Sequence, residues 1–133
     1  ATLNSGGVRI GTAEIYRVIE NIKEVQEAVA VEYKLKDDTQ IILFVVLNNN
    51  HKFNENLRHK IIEEIKINLS FKHIPSKIYA VSEIPRTRSG KIVEILIKQL
   101  INGEGFENEE SLANPECLKE FKLVYKKLKN SYA

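Results

Sequence analysis

Apolar residues recur at helical spacing in four segments of the chain, which predicts four helices. In residues 54–69, apolar side chains follow one another at four-residue steps, while Glu63 and Glu64 fall outside that stripe. A stripe of this kind is typical of a helix that packs one face on a core and leaves the other in water. The predicted helices span residues 12–21, 54–69 and 93–101, with a fourth beginning at Asn114.

Residues that favour helix ends mark the boundaries of these segments. Thr12 is predicted to cap the first helix, because a threonine oxygen can accept a hydrogen bond from an N–H group of the first turn. The Asn102-Gly103 pair predicts the end of the third helix, and Asn114, which is followed by proline, predicts the start of the fourth. The polar segment between them, residues 104–111, is predicted to be mobile.

Three further stretches have strand-like patterns. Residues 29–35 alternate between apolar and polar positions, as a strand with one buried face does. Residues 41–47 are continuously apolar, which favours a central strand covered on both faces, and residues 77–81 predict a third strand. Gly6-Gly7 turns a short hairpin ahead of the first helix. The predicted fold class is α+β, with a small, mainly antiparallel three-stranded sheet packed by helices, a short N-terminal hairpin and an extra C-terminal helix.

Composition narrows the class of protein. The 133 residues suffice for one domain, and the net charge of +2, with both signs interspersed, provides no basic face for nucleic acid. The longest apolar run, residues 41–47, is too short to cross a bilayer, so no membrane insertion is expected. The single cysteine, Cys117, is interpreted as a packing residue in a protein of the reducing cytoplasm. The three histidines lack metal-ligand spacing, so no metal site is predicted in this chain.

Cationic side chains are concentrated in residues 85–91, PRTRSGK, which we call the lysine loop. Guanidinium and ammonium groups neutralise phosphates and carboxylates, and a glycine lets the backbone approach them closely. The lysine loop differs from an ATP-binding P-loop, which needs glycine at the position of Pro85 and serine or threonine at that of Ile92. Taken alone, the loop fits two interpretations, an anion-binding site and a solvated basic turn between a strand and a helix.

The wider sequence favours the first interpretation. Residues 4–15, NSGGVRIGTAEI, and the lysine loop together resemble two signature regions in the C-terminal domain of AMP-forming acyl-CoA synthetases. The resemblance covers the whole chain, so residues 1–133 are expected to form the small C-terminal lid domain, with Ala1 just after the hinge. The large N-terminal domain is expected outside this chain, and the lid domain alone is expected to be inactive.

This resemblance implies roles for five residues. Lys91 would be the catalytic lysine, which contacts the substrate carboxylate and the α-phosphate side of ATP during adenylation. Gly6, Gly7 and Arg9 would bind CoA in the second half-reaction, and Gly7 best matches the glycine that lines the path of the pantetheine arm. Lys66 occupies the position of an arginine near the CoA 3′-phosphate in some relatives. ATP and Mg²⁺ would be bound mainly by the N-terminal domain.

The sequence after Lys91 bears on the substrate. Residues 92–98, the Asn102-Gly103 pair and residues 111–116 resemble the branch of the family that joins acetoacetate to CoA. An acetyl- or propionyl-CoA synthetase is the alternative within the family, and a non-enzymatic module that binds phosphate or CoA is the alternative outside it. The resemblance also implies that a lysine acetyltransferase and a deacetylase act on Lys91, because acetylation would remove the charge that adenylation needs.

Overall fold

Two compact units make up the chain, Ala1–Ala80 and Val81–Ala133. The computed structural model describes residues 2–105 and 109–132, so the expected hinge position at Ala1 lies outside the described residues. Each unit has its own set of buried apolar side chains. Among the helices of the described ranges, none is both long enough and apolar enough to cross a bilayer.

The first unit contains a two-stranded hairpin and a separate three-stranded sheet. Its elements are β1 (Thr2–Ser5), β2 (Val8–Gly11), α1 (Thr12–Ile19), β3 (Val25–Lys34), β4 (Thr39–Leu47), α2 (Glu55–Asn68), a 3-10 turn (Phe71–His73) and β5 (Lys77–Ala80). The antiparallel strands β1 and β2 form the hairpin, which turns at Gly6-Gly7 as predicted. The larger sheet has the order β3-β4-β5, with β3 antiparallel and β5 parallel to β4.

Strand β4 is the centre of the larger sheet, as its continuous apolar sequence predicted. The side chains of residues 41–46 are all at most 7% exposed. Strands β3 and β4 are joined by a short turn and pair antiparallel, whereas the chain between β4 and β5 passes through α2, the kind of crossover that a parallel pair needs. The predicted α+β class is confirmed, and the parallel pairing of β5 makes the sheet a mixed one.

Helices α1 and α2 pack against each other and present their apolar stripes to the core of the first unit. Asn54 caps α2, since its side-chain oxygen accepts a hydrogen bond from the N–H of Leu57 at 2.9 Å. The predicted cap of α1 was wrong by one residue. Gly11 is the N-cap in extended conformation and has no side chain to cap the helix, and Thr12 is the first helical residue, with a side chain that is only 3% exposed.

In the second unit two helices pack against each other. Its elements are α3 (Glu94–Ile101), a 3-10 turn (Glu109–Ser111), a second 3-10 turn (Pro115–Cys117) and α4 (Leu118–Ser131). The extra C-terminal helix is therefore confirmed as α4. Helix α3 ends at Asn102-Gly103 as predicted, and Gly103 has a φ of +78°. Of the segment predicted to be mobile, residues 106–108 lie outside the described residues.

Cys117 is buried just before α4, with 4% of its surface exposed. Burial raises the pKa of its thiol to about 11, and the carboxylates of Glu83, Glu116 and Glu120 add to the shift. The thiol is therefore neutral at physiological pH, and the interpretation of Cys117 as a packing residue is confirmed.

Candidate functional site

The lysine loop is a tight turn closed by its own backbone and by one threonine. Arg86 and Ile92 form an antiparallel bridge across its base. The N–H of Thr87 donates to the carbonyl of Lys91 at 2.8 Å, and the hydroxyl of Thr87 accepts from the N–H of Lys91 at 3.1 Å. Gly90 has a φ of +93°, a conformation that glycine adopts without strain. Lys91 therefore leaves the turn from a backbone that is fixed on both sides.

Lys91 is the cation of this loop whose charge is not engaged. The guanidinium of Arg86 donates to the carbonyl of Gly90 at 3.0 Å, and that of Arg88 donates to the carbonyl of Glu110 at 2.8 Å. The side chain of Lys91 is exposed and has no hydrogen bond or ion pair with any residue in the described ranges. The arginines thus stabilise the loop, while the ammonium of Lys91 can meet an anion outside the chain.

The start of the C-terminal segment braces the lysine loop from the side. The side-chain oxygen of Asn114 accepts from the N–H of Arg86 at 3.0 Å, and its side-chain nitrogen donates to the carbonyl of Ile84 at 3.0 Å. The N–H of Ala113 donates to the carbonyl of Arg86 at 2.9 Å, and Leu112 forms a β-bridge with Thr87. As predicted, a helical segment starts after Asn114, which is the N-cap of the 3-10 turn that leads into α4, but its side chain makes no capping bond and contacts the loop instead.

The Gly6-Gly7 turn brings three of the predicted CoA-binding residues onto one hairpin. Gly6 and Gly7 have φ values of +52° and +85°, which suit a two-residue turn between antiparallel strands. Arg9 is exposed opposite Asn4 in the strand register. A Cβ atom at Gly7 would have no neighbour within 4 Å, so a ligand can approach the backbone at this position.

An open depression lies beside Gly7 in the first unit, with a volume of about 530 Å³. Lys34 and Lys36 line it, and so do Asp37 and Asp38, which follow them in the sequence. Asp38 is occupied by the turn itself, because its carboxylate accepts from the N–H of Thr39 at 2.8 Å. The depression therefore combines two exposed lysines and two aspartates with accessible backbone.

Lys66 lies in the last turn of α2, where its charge is favourably placed relative to the helix dipole. It is exposed, as is its neighbour Ile67. Lys66 is thus in the same unit as Gly6, Gly7 and Arg9 but on another element, and Lys91 belongs to the second unit.

One cation near the glycine turn was missed by the sequence reasoning. The ammonium nitrogen of Lys72, in the 3-10 turn after α2, would lie 3.1 Å from a Cβ atom placed on Gly6. The two residues are far apart in the sequence, and no local pattern around position 72 indicates the contact.

Residues 14–91 match the family described as the AMP-binding enzyme C-terminal domain. The chain belongs to this family. Lys66 and Lys91 lie within the matched segment, and Lys91 is its last residue. Gly6, Gly7 and Arg9 precede the segment, and the Asn114 brace follows it.

Curated relatives extend the similarity of this C-terminal domain beyond the matched segment. Acetoacetyl-coenzyme A synthetase of Rhizobium meliloti is 48% identical over 118 residues, which are 89% of this chain and 18% of that protein. Acetoacetyl-CoA synthetase of Caenorhabditis elegans is 39% identical over 123 residues, which are 91% of this chain and 18% of that protein. The chain therefore spans less than a fifth of the length of these relatives.

Solved structures give the same fold for this C-terminal domain. The acetoacetyl-CoA synthetase from Streptomyces lividans aligns with a TM-score of 0.83 and 30% identity, covering 96% of this chain and 19% of that one. The acyl-CoA synthetase of Brucella canis aligns with a TM-score of 0.69 and 27% identity, covering 74% of this chain and 18% of that one. At 96% coverage, the unaligned part of this chain is shorter than the 14 residues of α4, so the alignment with the Streptomyces lividans structure includes at least part of this helix.

Proposed function

We propose that the chain is the C-terminal lid domain of an acetoacetyl-CoA synthetase. This enzyme would join acetoacetate to CoA through an acyl-adenylate, with ATP giving AMP and pyrophosphate. The observation that carries the proposal is the extent of the match: the acetoacetyl-CoA synthetase structure aligns over 96% of the chain, against 74% for the acyl-CoA synthetase of Brucella canis. The sequence resemblance after Lys91 supports the same substrate.

Lys91 is proposed to act in the first half-reaction. Its ammonium is exposed, and among the described residues it has no partner to neutralise it. During adenylation the carboxylate of acetoacetate and the α-phosphate of ATP must approach each other, and a cation between them lowers their repulsion. Because one such donor contributes a few kcal/mol to a transition state, its loss slows adenylation by about a hundredfold or more. The thioester-forming step depends on it much less.

The glycine turn is proposed to act in the second half-reaction, when CoA attacks the adenylate. The open space around a Cβ position at Gly7 supports a close passage of the pantetheine arm along the backbone. Arg9 is exposed on the same hairpin and can meet a phosphate group, and Lys66 is assigned to the 3′-phosphate of CoA. Both half-reactions then draw on this domain, but on different units of it.

The remaining parts of the active site are assigned to a large N-terminal domain, which would carry most of the ATP contacts and the Mg²⁺ site. Within residues 2–105 and 109–132 there is no group of three or more His, Cys, Asp or Glu side chains that could hold a metal ion. The lid domain alone is therefore proposed to be inactive. The buried free thiol of Cys117 fits a protein of the reducing cytoplasm.

Pyrophosphate release tests the proposal. The gene product that carries this chain is assayed with ATP and with acetoacetate, acetate or propionate, and compared with its Lys91→Ala and Lys119→Ala variants. Lys119 is an exposed lysine of α4 and serves as the matched control. We expect acetoacetate to give the highest kcat/KM and Lys91→Ala alone to abolish most of the signal. A preference for acetate or propionate would overturn the assignment of acetoacetate as the substrate. Pyrophosphate release that is unaffected by Lys91→Ala would overturn the role of the lysine.

The accessibility of Lys91 also supports regulation by a lysine acetyltransferase and a deacetylase, because an acetyl group would neutralise a cation that has no partner among the described residues. Mass spectrometry of the protein from its native cell should find Lys91 acetylated under some growth conditions. Absence of the modification under every condition would contradict this part of the proposal.

A further inference from the structure

Lys72 and the glycine turn are close in space although they are 66 positions apart in the numbering of the chain. The distance of 3.1 Å between the Lys72 ammonium and a Cβ position at Gly6 is shorter than an ordinary carbon–nitrogen contact. The ammonium therefore lies against the backbone of the turn, in space that a residue with a side chain would occupy. This contact gives Gly6 a second role besides its left-handed conformation.

The backbone that carries Lys72 is held by a chain of hydrogen bonds. The N–H of Lys72 donates to the hydroxyl of Ser70 at 3.2 Å, and this hydroxyl lies 2.7 Å from Nδ1 of His73. The other ring nitrogen, Nε2, lies 2.9 Å from a carboxylate oxygen of Glu14 in α1. Since α1 follows β2 without a break, these bonds connect the lysine segment to the element that begins at the end of the hairpin.

Among the described residues, no carboxylate balances the charge of Lys72. Lys60 in the same unit pairs with Glu24 at 2.9 Å, whereas the ammonium of Lys72 makes no ion pair or hydrogen bond with the part of the chain that the structure describes. The ammonium also lies 5.9 Å from the centre of the ring of Phe71, a residue that is 71% exposed. A half-buried cation without a counter-charge favours the approach of an anion.

The turn adds donors of its own. In the described ranges, neither the N–H of Gly6 nor the N–H of Gly7 takes part in a backbone hydrogen bond. Unpaired N–H groups of a turn next to an ammonium form the kind of donor set that binds phosphate.

We propose that Lys72 and the Gly6-Gly7 turn together bind a phosphate group of CoA. The inference rests on the proposed function, in which the pantetheine arm passes this turn and brings the nucleotide end of CoA to it. The diphosphate and the 3′-phosphate share the chemistry that the site recognises. Lys72 is thus a binding residue of the second half-reaction, distinct from Lys66.

The test replaces Lys72 by glutamine in the gene product that carries this chain. Calorimetry measures the Kd of CoA and of dephospho-CoA, steady-state assays measure KM for CoA, and single-turnover assays without CoA measure pyrophosphate release. We expect the Kd and KM for CoA to rise about tenfold, as loss of one charge-assisted hydrogen bond predicts. Single-turnover pyrophosphate release without CoA reports only the first half-reaction and should change less than about twofold. Lys72→Arg should restore most of the affinity, and Lys52→Gln, which removes an exposed lysine elsewhere in the first unit, should leave it unchanged.

The two phosphate sources give different results. If Lys72→Gln weakens the binding of CoA and of dephospho-CoA equally, the site binds the diphosphate. If it weakens the binding of CoA alone, the site binds the 3′-phosphate. Equal CoA affinity of the unchanged protein and Lys72→Gln, or no CoA binding by either, overturns the role of Lys72. A failure of the unchanged protein to release pyrophosphate with any carboxylate instead overturns the proposed function.

Gly6→Ala provides an independent check, because its Cβ atom would push the ammonium of Lys72 away from the turn. This variant should weaken CoA binding in the presence of Lys72 and have a smaller effect in the Lys72→Gln background. Fully additive effects of the two substitutions would contradict a shared site.

Discussion

Replacing Asn114 by alanine should loosen the lysine loop without changing any residue of the loop itself. The substitution removes two hydrogen bonds of 3.0 Å, one from the N–H of Arg86 and one to the carbonyl of Ile84. A third contact, to Glu83 at 3.4 Å, is long and exposed and contributes little. Two neutral bonds contribute about 0.5–1.5 kcal/mol each, and Ile84 is 1% exposed, so we expect the loop to lose about 2 kcal/mol of local stability.

Hydrogen exchange measured by mass spectrometry on a peptide spanning residues 84–93 reads this loss directly. A decrease of 2 kcal/mol corresponds to about 30-fold faster exchange of the protected amides. The backbone that carries Lys91 would then be mobile. Because small displacements of a catalytic group are costly, the rate of adenylation should fall by about tenfold or more. The thioester-forming half-reaction, measured from a preformed acyl-adenylate, should fall much less.

Asn68→Ala is the matched control for Asn114→Ala. The side chain of Asn68 also makes two hydrogen bonds, to the carbonyl and the carboxylate of Glu64, but on an exposed helix surface in the first unit. It should change neither exchange in residues 84–93 nor adenylation. The reasoning is refuted if Asn114→Ala leaves the exchange of that peptide within twofold, or if it slows both half-reactions equally.

Two further predictions concern packing in the second unit. Gly103→Ala should lower the free energy of unfolding, measured by urea denaturation, by about 2 kcal/mol, because φ is +78° and the new Cβ would lie 2.8 Å from the ring of Tyr125. Gly105→Ala is the control and should be nearly neutral, because a Cβ atom there would have no neighbour within 4 Å. Equal losses of stability in the two variants would contradict this account. Cys117 should react with a thiol reagent at pH 8 far more slowly in the folded than in the unfolded protein. Its folded pKa of about 11 lies above the ordinary value of about 9, so the neutral thiol supports folding fully below pH 9 and this support is lost as pH rises towards 11. Equal labelling rates at pH 8 would exclude the shift.

Much of the fold could be predicted because its signals are local. The continuous apolar run of residues 41–47 identified the central strand, and Asn54 lies within one turn of the amide that it caps in α2. The hairpin followed from Gly6-Gly7 for the same reason, since a two-residue turn is determined by the residues in it. The direction of β5 is not determined in this way, because parallel or antiparallel pairing depends on how α2 crosses between strands.

The candidate site was less predictable because its polar side chains bond across long sequence separations. Asn114 and Lys72 both contact residues that lie far from them in the sequence, Arg86 in one case and Gly6 in the other. For Asn114 the local sequence indicates the helix start that it occupies, since an asparagine followed by proline is common there, but not the contacts of its side chain with the loop. Threonine is a residue type that suits a cap, but the helix begins at Thr12 itself, so Gly11 takes the N-cap position and the threonine side chain is buried.

The lysine loop illustrates how contacts change the meaning of a charged sequence. By composition, residues 85–91 carry three equivalent cations. The structure uses two of them, since the guanidinium groups of Arg86 and Arg88 bond to carbonyl oxygens of the loop and of the C-terminal segment. An arginine can satisfy carbonyls in this way because its planar donors are held in fixed directions, whereas the ammonium of Lys91 ends a flexible chain. The arginines thus stabilise the loop that carries Lys91. We therefore expect Arg86→Ala to slow adenylation by making the loop mobile, and Lys91→Ala to slow adenylation while the loop stays intact.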